Sequence, residues 1–290
     1  MIWMGALKAF GDAVNFTLRN PRLALIPLLI ALILAPMSAY IQRDIEPFSP
    51  MERGKEIEGI IIEEHGATGE MGLENLWPLL FLLLLSLLLN SAAQYSVIYG
   101  ALRAGEGKDV PLSELFVKGL EHIVQVFGIN VLTTIIVAAA AIAAGLPFLM
   151  LVIGGAFVNS NSLMLAGVIL LLIVEVIILP FLVGASSMTV PAYVVKGSFG
   201  SFIDGFAVAW KNKLSSMGFG ALLLIFIMAI VIAPAAIVAI ILLASQGLTA
   251  RIVAALIQAP FQAVAQTFAS VAGLFLYLEL KEELERADNL

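Results

Sequence analysis

Six long apolar stretches, separated by short polar segments, dominate this sequence of 290 residues. A helix rises about 1.5 Å per residue, so crossing roughly 30 Å of hydrocarbon takes about 20 apolar residues. Each stretch is about that long or longer, and helices satisfy their own backbone hydrogen bonds in lipid. The sequence therefore predicts an all-α integral membrane protein with six transmembrane helices. These cover residues 23–41, 76–102, 123–158, 163–195, 214–244 and 252–280.

The composition agrees with this class. Hydrophobic residues make up 61% of the chain and charged residues 12%, whereas soluble proteins are nearer one half and one quarter. The formal charge is −6 and the basic residues form no run, which argues against a nucleic-acid partner. There is no cysteine, which excludes disulfides, thiolate metal sites and cysteine nucleophiles.

The distribution of Lys and Arg predicts the orientation. If the chain crosses six times, 11 of its 15 basic residues fall on one side. Basic loops stay in the cytoplasm, so we expect both termini there and the protein in the plasma membrane. The opposite side carries an acidic outer loop over 42–75. It is either a solvated segment or a cation-attracting vestibule, and Glu63, Glu64 and His65 are too close in sequence to converge easily on one metal ion.

An amphipathic segment precedes every odd-numbered span. These segments, 3–18, 112–124 and 199–210, carry apolar residues at helical spacing with charges opposite. We expect them to form interfacial helices on the cytoplasmic side. The chain is then one six-span domain built of three units, about 1–102, 103–195 and 196–290. The units are either parallel helix-hairpin repeats or a convergence of amphipathic patterns.

Polar side chains inside the spans follow a regular spacing. Every fourth residue is polar in the second and sixth spans, and the fourth span holds Glu175, the only formal charge well inside a span. We therefore expect the even-numbered spans to face the bundle interior. The candidate intramembrane polar site comprises Glu175, Gln262, Gln258, Gln266, Ser86, Asn90 and Gln94.

Two interpretations of this polar site remain open. Amides and hydroxyls commonly hold transmembrane helices together, each contact contributing about 0.6–2 kcal/mol. Alternatively they line a path or a binding site. Because no Lys or Arg lies in any predicted span, we expect Glu175 to be protonated or hydrogen-bonded to Gln262.

Lys196, Lys211 and Lys213 flank the third amphipathic segment. The positive-inside rule explains them, and contact with anionic lipid headgroups is an additional candidate role. No catalytic motif occurs, and the two histidines, His65 and His122, fall on opposite sides of the membrane. We expect no enzyme activity, no cofactor and no metal.

The stretch 179–220 follows a recurring pattern. A span ends in VPAYVV, a small-residue turn follows, and then the amphipathic SFIDGFAVAWKNK leads into another span. This resembles the membrane domain attached to some bacterial glycerophosphodiester phosphodiesterases and related six-span proteins. The resemblance implies a six-helix membrane module, and it carries over no hydrolytic activity or active-site residue.

The sequence thus predicts a structural, lipid-interacting or partner-binding membrane module. Its expected partners are membrane lipids, a second copy of the chain or another membrane protein. The alternative is a small transporter or channel-like bundle with a polar midplane path around Glu175. A carboxylate inside the membrane is energetically unfavourable, and such residues usually have a function.

Overall fold

The computed structural model describes residues 4–41, 73–245 and 247–288, which are helical apart from short connections. Short 3-10 helices, Pro21–Ala24 and Phe199–Ser201, lead into the second and eighth α-helices. The α-helices of the described residues are α1 (Met4–Arg19), α2 (Leu25–Ile41), α3 (Leu73–Gly105), α4 (Leu112–Glu121), α5 (Ile123–Phe157), α6 (Asn161–Ser187), α7 (Thr189–Lys196), α8 (Phe202–Lys211), α9 (Lys213–Ala244) and α10 (Leu248–Asp288).

Six helical segments in the described residues are long and apolar enough to cross a membrane. This confirms the predicted all-helical class and the multi-pass architecture. The fourth segment is interrupted at Met188, where α6 gives way to α7. The segments are Pro21–Ile41, Trp77–Gly105, Ile123–Phe157, Asn161–Lys196, Lys213–Ala244 and Leu248–Arg286.

The last helix, α10, forms the centre of the bundle. It has 41 residues, which corresponds to about 60 Å, and it packs against α1, α2, α3 and α9. Its buried Phe268 contacts Phe10 of α1 and Phe226 of α9, with ring centroids 5.2 Å and 4.0 Å away. These four helices therefore surround α10, whereas α5 packs mainly against α6 and α3.

The fourth span is less buried than the sequence predicts. The second and sixth spans bury 44% and 67% of their most apolar windows, whereas the third and fifth bury 6% each. The prediction that the fourth span also faces the interior is wrong, because only 11% of its window is buried. Between Leu163 and Ala185, Glu175 is the one polar residue of this span, so that part of the sequence specifies no buried face. It pairs with α5 and is buried mainly near its end, around Gly184.

Glycines bring α6 and α9 into unusually close contact. A Cβ on Gly220 of α9 would overlap the backbone carbonyl oxygen of Pro180 on α6. A Cβ on Gly184 of α6 would overlap the carbonyl oxygen of Ser216 on α9. Small residues allow transmembrane helix backbones to approach in this way, which increases van der Waals contact where no hydrophobic force operates.

Helices occupy all three predicted amphipathic segments. The first, α1, buries Ala6, Ala9 and Ala13 and packs against α10 and α9. The second, α4, lies on α3, and its Gly119 is so close to Ala92 that a Cβ would overlap the Ala92 carbonyl oxygen. The third, α8, packs against α6 and α7. Each thus buries only part of its apolar face in the bundle, because Phe116 and Leu120 of α4 and Ile203 of α8 are exposed.

Candidate functional site: two polar cavities along α3 and α10

The polar residues of α3 and α10 converge where these helices pack together with α2. Ser86, Asn90, Gln258, Gln262 and Gln266, all predicted from the sequence, line a single cavity of about 460 Å³, which we call the first cavity. Ser38 of α2 adds a sixth polar side chain. The remaining lining is aliphatic and small: Ala31, Leu34, Ala35, Ala255 and Ala263.

Much of the hydrogen-bonding capacity of the first cavity is unused. Ser86 Oγ donates to the carbonyl oxygen of Leu83 in its own helix, at 2.9 Å. Within the described residues, the amides of Gln258 and Gln262 make no hydrogen bond. Each neutral amide offers two donors and an acceptor. The first cavity therefore presents free amide groups, and the exposed Asn90 and Gln262 connect it to the protein surface.

A second cavity, of about 650 Å³, adjoins the first. It lies between α3, α5, α6, α9 and α10, and it shares Asn90 and Gln266 with the first cavity. Of the predicted site residues it also contains Gln94. Its polar lining is Asn90, Ser91, Gln94, Asn130, Thr133, Thr134, Ser186, Ser187, Gln266 and Ser270.

Interhelical amide contacts form one wall of the second cavity. Asn130 Nδ2 of α5 donates to Gln94 Oε1 at 3.0 Å and to Ser91 Oγ at 3.2 Å, both on α3. Gln266 Nε2 of α10 donates to the backbone carbonyl oxygen of Asn90 at 3.1 Å. Part of the predicted polar site therefore holds helices together, as the first interpretation of the sequence requires.

Thr133 is different from its neighbours in the second cavity. Its side chain is buried, at 7% exposure, and its Oγ1 has no hydrogen-bond partner among the described residues. Helical threonines usually donate to a carbonyl of the preceding turn, as Thr134 does to Asn130 at 2.8 Å. A buried hydroxyl without a partner costs about 1–3 kcal/mol. The second cavity thus contains a polar atom that a ligand or a water molecule would satisfy.

Glu175 lies away from both cavities. It packs between α5 and α6, where its Oε1 would lie 3.3 Å from a Cβ on Gly145. It lines neither cavity, and within the described part of the chain it makes no hydrogen bond with Gln262. The expected pairing of these two residues is therefore not made. The reason is the position of the fourth span, which stands beside α5 rather than against the middle of α10.

Several cavity residues carry little sequence signal. Ser38 is a single hydroxyl near the end of an aliphatic helix, and Ser91 lies outside the every-fourth-residue pattern of α3. Ser186 and Ser187 are adjacent, which could have marked the inner end of the fourth span. Both donate to carbonyls of their own helix at 3.0 Å and 2.8 Å.

The three candidate headgroup lysines have different surroundings. Lys196 of α7 is ion-paired with Asp204 of α8 at 2.7 Å, so its charge is already balanced. Lys213 Nζ lies 4.1 Å from the ring centroid of Trp210, and this Trp is 62% exposed. Lys211 is exposed beside them. Lys211 and Lys213 therefore fit a lipid-headgroup contact better than Lys196.

An aromatic cluster that sequence reasoning missed surrounds His122. This residue lies between α4 and α5 and stacks on Tyr95 of α3, with ring centroids 4.2 Å apart. Its Nδ1 lies 2.7 Å from Oη of Tyr193 on α7. Burial lowers the pKa of His122, an effect that Glu121 opposes and Lys118 reinforces. The neutral imidazole is therefore favoured.

The predicted acidic loop cannot be compared with the fold, because residues 42–72 lie outside the described residues. The same holds for the metal candidates Glu63, Glu64 and His65. In the described ranges, no group of three or more His, Asp or Glu side chains is arranged to hold a metal ion.

Comparison with protein-family models, with curated proteins and with solved structures finds no match to this chain. The resemblance of residues 179–220 to a phosphodiesterase-associated membrane domain therefore stays a prediction. The site must be interpreted from its own geometry.

Proposed function

We propose that this chain is a lipid-interacting membrane module that holds the uncharged polar headgroup of an amphipathic molecule in the first cavity. One observation carries the proposal: six amide and hydroxyl side chains from three helices line one cavity, at a depth where the spans are otherwise aliphatic. Ligand pockets are typically concave sites with an apolar lining and a few convergent polar groups that orient the ligand.

The energetics favour an occupied cavity. Moving an amide from water to a medium that cannot hydrogen-bond costs about 4–8 kcal/mol. Gln258 and Gln262 lack hydrogen bonds within the described residues, and Gln262 is exposed. A headgroup that pairs with these amides removes most of that cost, whereas an acyl chain in the same place does not.

The lining favours an uncharged headgroup. Asp, Glu, Lys and Arg are absent from the residues that border the first cavity. An anionic phosphate would enter without a counter-charge, which is unfavourable in a medium of low dielectric constant. Amides and hydroxyls both donate and accept, and they therefore match the hydroxyls of a sugar or a glycerol.

The membrane arrangement completes the proposal. We place both termini in the cytoplasm of a plasma-membrane protein, because of the basic residues on that side. The helices α1, α4 and α8 then lie at the inner interface, each at the start of one unit of a threefold repeat. Exposed Trp210, with Lys211 and Lys213, supplies a second lipid contact there, to anionic headgroups.

A second candidate function is a purely structural or partner-binding module without enzyme activity. The direct contacts between Asn130 and Gln94, and between Gln266 and Asn90, favour it, because they join helices without any ligand. The exposed amide of Gln262 would then meet a second copy of the chain or another membrane protein. The two candidate functions differ in whether a lipid headgroup occupies the first cavity.

Photolabelling tests the proposal. The full chain is placed in phosphatidylcholine nanodiscs with a monoglucosyl diacylglycerol that carries a photoactivatable acyl chain. We expect saturable labelling, and a double variant, Gln258→Leu with Gln262→Leu, should weaken apparent affinity by about tenfold or more, since each lost hydrogen bond contributes roughly 1 kcal/mol.

Gln125→Leu removes an exposed amide of α5 that borders neither cavity and serves as the matched control. Equal labelling of the double variant and the control would overturn the proposal. Tighter binding of a phosphatidylglycerol probe with the same acyl chains would overturn its choice of headgroup.

A further inference from the structure

The two cavities meet end to end along α3 and α10. The first runs from Ala255 to Gln266 on α10, and the second continues from Gln266 to Ser270. On α3, the first reaches Asn90 and the second continues to Gln94. Gln258 and Ser270 are separated by about 18 Å along the helix, more than half of the hydrocarbon thickness. Their polar side chains therefore form a ladder through much of the span.

The partner helices show that the cavities belong to opposite halves of the bundle. The first cavity uses the end of α2, near Ser38, which lies beside the beginning of α10. The second uses the beginning of α5, near Asn130, and the end of α6, near Ser187. In an antiparallel bundle these positions lie towards the opposite membrane face.

We propose that the two cavities are halves of one polar route, divided by Gln266, along which the headgroup of an amphipathic molecule passes between the two halves of the membrane. The inference rests on the proposed function, because the headgroup enters through the first cavity. It adds an activity, the transfer of lipid between leaflets. The acyl chains remain in the surrounding lipid throughout.

Gln266 is suited to divide the route. It lines both cavities, and its side-chain amide is held by one neutral hydrogen bond, to the Asn90 carbonyl oxygen. When the side chain rotates, a headgroup hydroxyl can take over that carbonyl oxygen and so replace the bond that is broken. The Asn90 carbonyl oxygen therefore keeps a donor throughout the exchange.

The second cavity provides an independent indication of a ligand. The hydroxyl of Thr133 is buried and has no partner within the described part of the chain, although it borders a space of about 650 Å³. A headgroup that arrives beyond Gln266 would satisfy it. Asp, Glu, Lys and Arg are again absent from the lining, so the whole route suits the uncharged headgroup of the first cavity.

Exposed side chains show how the acyl chains stay outside. Leu87, Val131 and Ile135 border the second cavity and are 44%, 38% and 58% exposed. In the first cavity, Asn90 and Gln262 are exposed. Both cavities therefore open sideways, and a lipid can move its headgroup along the ladder without drawing its tails into the protein.

A leaflet-transfer assay tests the route. The full chain is reconstituted into phosphatidylcholine vesicles with a monoglucosyl diacylglycerol that carries a nitrobenzoxadiazole label on one acyl chain. Dithionite, which stays outside, bleaches only label that reaches the outer leaflet. We expect slow, nearly complete bleaching with the protein, and bleaching of the outer-leaflet share alone in empty vesicles.

Two substitutions of Gln266 should act in opposite directions. Gln266→Leu keeps a large side chain between the cavities but makes it apolar, so the headgroup must pass a group that cannot pair with it, and transfer should slow about tenfold or more. Gln266→Ala removes the side chain that separates the cavities and leaves the Asn90 carbonyl oxygen free to accept from the headgroup, so transfer should be at least as fast as with the natural chain. A structural role alone would make both variants fail together. Thr133→Val should slow transfer, and Gln125→Leu is the control.

The outcomes separate the route from the proposed function. Photolabelling of the first cavity without any leaflet transfer, or equal transfer by Gln266→Leu and the natural chain, would overturn the route and leave lipid binding in place. If the natural chain shows no saturable photolabelling, the proposed function itself is overturned.

Discussion

The side-chain amide of Gln266 donates a hydrogen bond of 3.1 Å to the backbone carbonyl oxygen of Asn90, and these two residues line both polar cavities. The bond joins α10 to α3 at the middle of the polar ladder. It shows that residues in this ladder serve both as interhelical contacts and as cavity lining, so these two interpretations of the sequence are not exclusive.

The contact between α6 and α9 predicts a steric effect. Gly220→Ala should destabilise the protein by about 1–3 kcal/mol, because the new Cβ overlaps the Pro180 carbonyl oxygen and the helices must separate. Unfolding in mixed micelles with increasing dodecyl sulfate measures the effect. The control is Gly154→Ala in α5, where a Cβ would meet nothing within 4 Å. Equal stability of the two variants would contradict the close packing.

Glu175 should be dispensable for lipid binding and transfer. Glu175→Gln keeps the size of the side chain, and the residue lines neither cavity. We therefore expect unchanged photolabelling and unchanged leaflet transfer. A transporter built around Glu175 would instead lose any pH- or cation-dependent flux in this variant. Such a loss would contradict the prediction and would show that the Glu175 carboxyl group takes part in transport.

His122 should make stability dependent on pH. Burial holds its folded-state pKa below the ordinary value of 6.5, so the unfolded chain takes up more protons as the pH falls through that range. Stability should be complete above about pH 6.5 and should decrease at lower pH. Neighbouring Glu121 and Lys118 act on the same pKa in opposite directions.

Unfolding in dodecyl sulfate micelles at several pH values measures this dependence. His122→Phe keeps a ring against Tyr95 and removes the titration, so its curve should be flatter than that of the natural chain. His65→Gln serves as the control because it removes the other histidine of the chain. A curve for His122→Phe that matches the natural one would contradict the assignment.

The proposed orientation, with both termini in the cytoplasm, predicts which cysteines are accessible from outside. The chain has no cysteine of its own, so the labelling of a single introduced cysteine reports the accessibility of that position alone. Cysteines at Ser160 and Gly247, and at Gly69 in the acidic loop, should react with a membrane-impermeant maleimide in intact cells. Cysteines at Gly107 and Ser198 should react only after permeabilisation. Labelling at Gly107 in intact cells would contradict the six-span orientation.

The sequence predicts the spans and the polar ladder well because both depend on short-range periodicity. An amide every fourth residue defines one helix face whatever its neighbours are. This is why Gln258, Gln262 and Gln266 are found together in the first cavity.

Which helices stand opposite each other depends on contacts distant in the chain. The fourth span is apolar around Glu175 on every helix face, so its pattern could not show that it packs with α5 and leaves Glu175 away from α10. Likewise, His122 and Tyr193 are 71 residues apart, and only the fold brings them to 2.7 Å. Single hydroxyls such as Ser38 carry no periodic signal at all.

The most direct test of the central claim, that the first cavity holds an uncharged headgroup, is to map where a headgroup-labelled lipid reacts. A monoglucosyl diacylglycerol with a photoactivatable group on its sugar is irradiated with the full chain in nanodiscs, and mass spectrometry locates the adducts. We predict adducts on α2, α3 and α10 around Ser38, Asn90 and Gln262. Adducts confined to the helix ends, with none at these positions, would contradict the account.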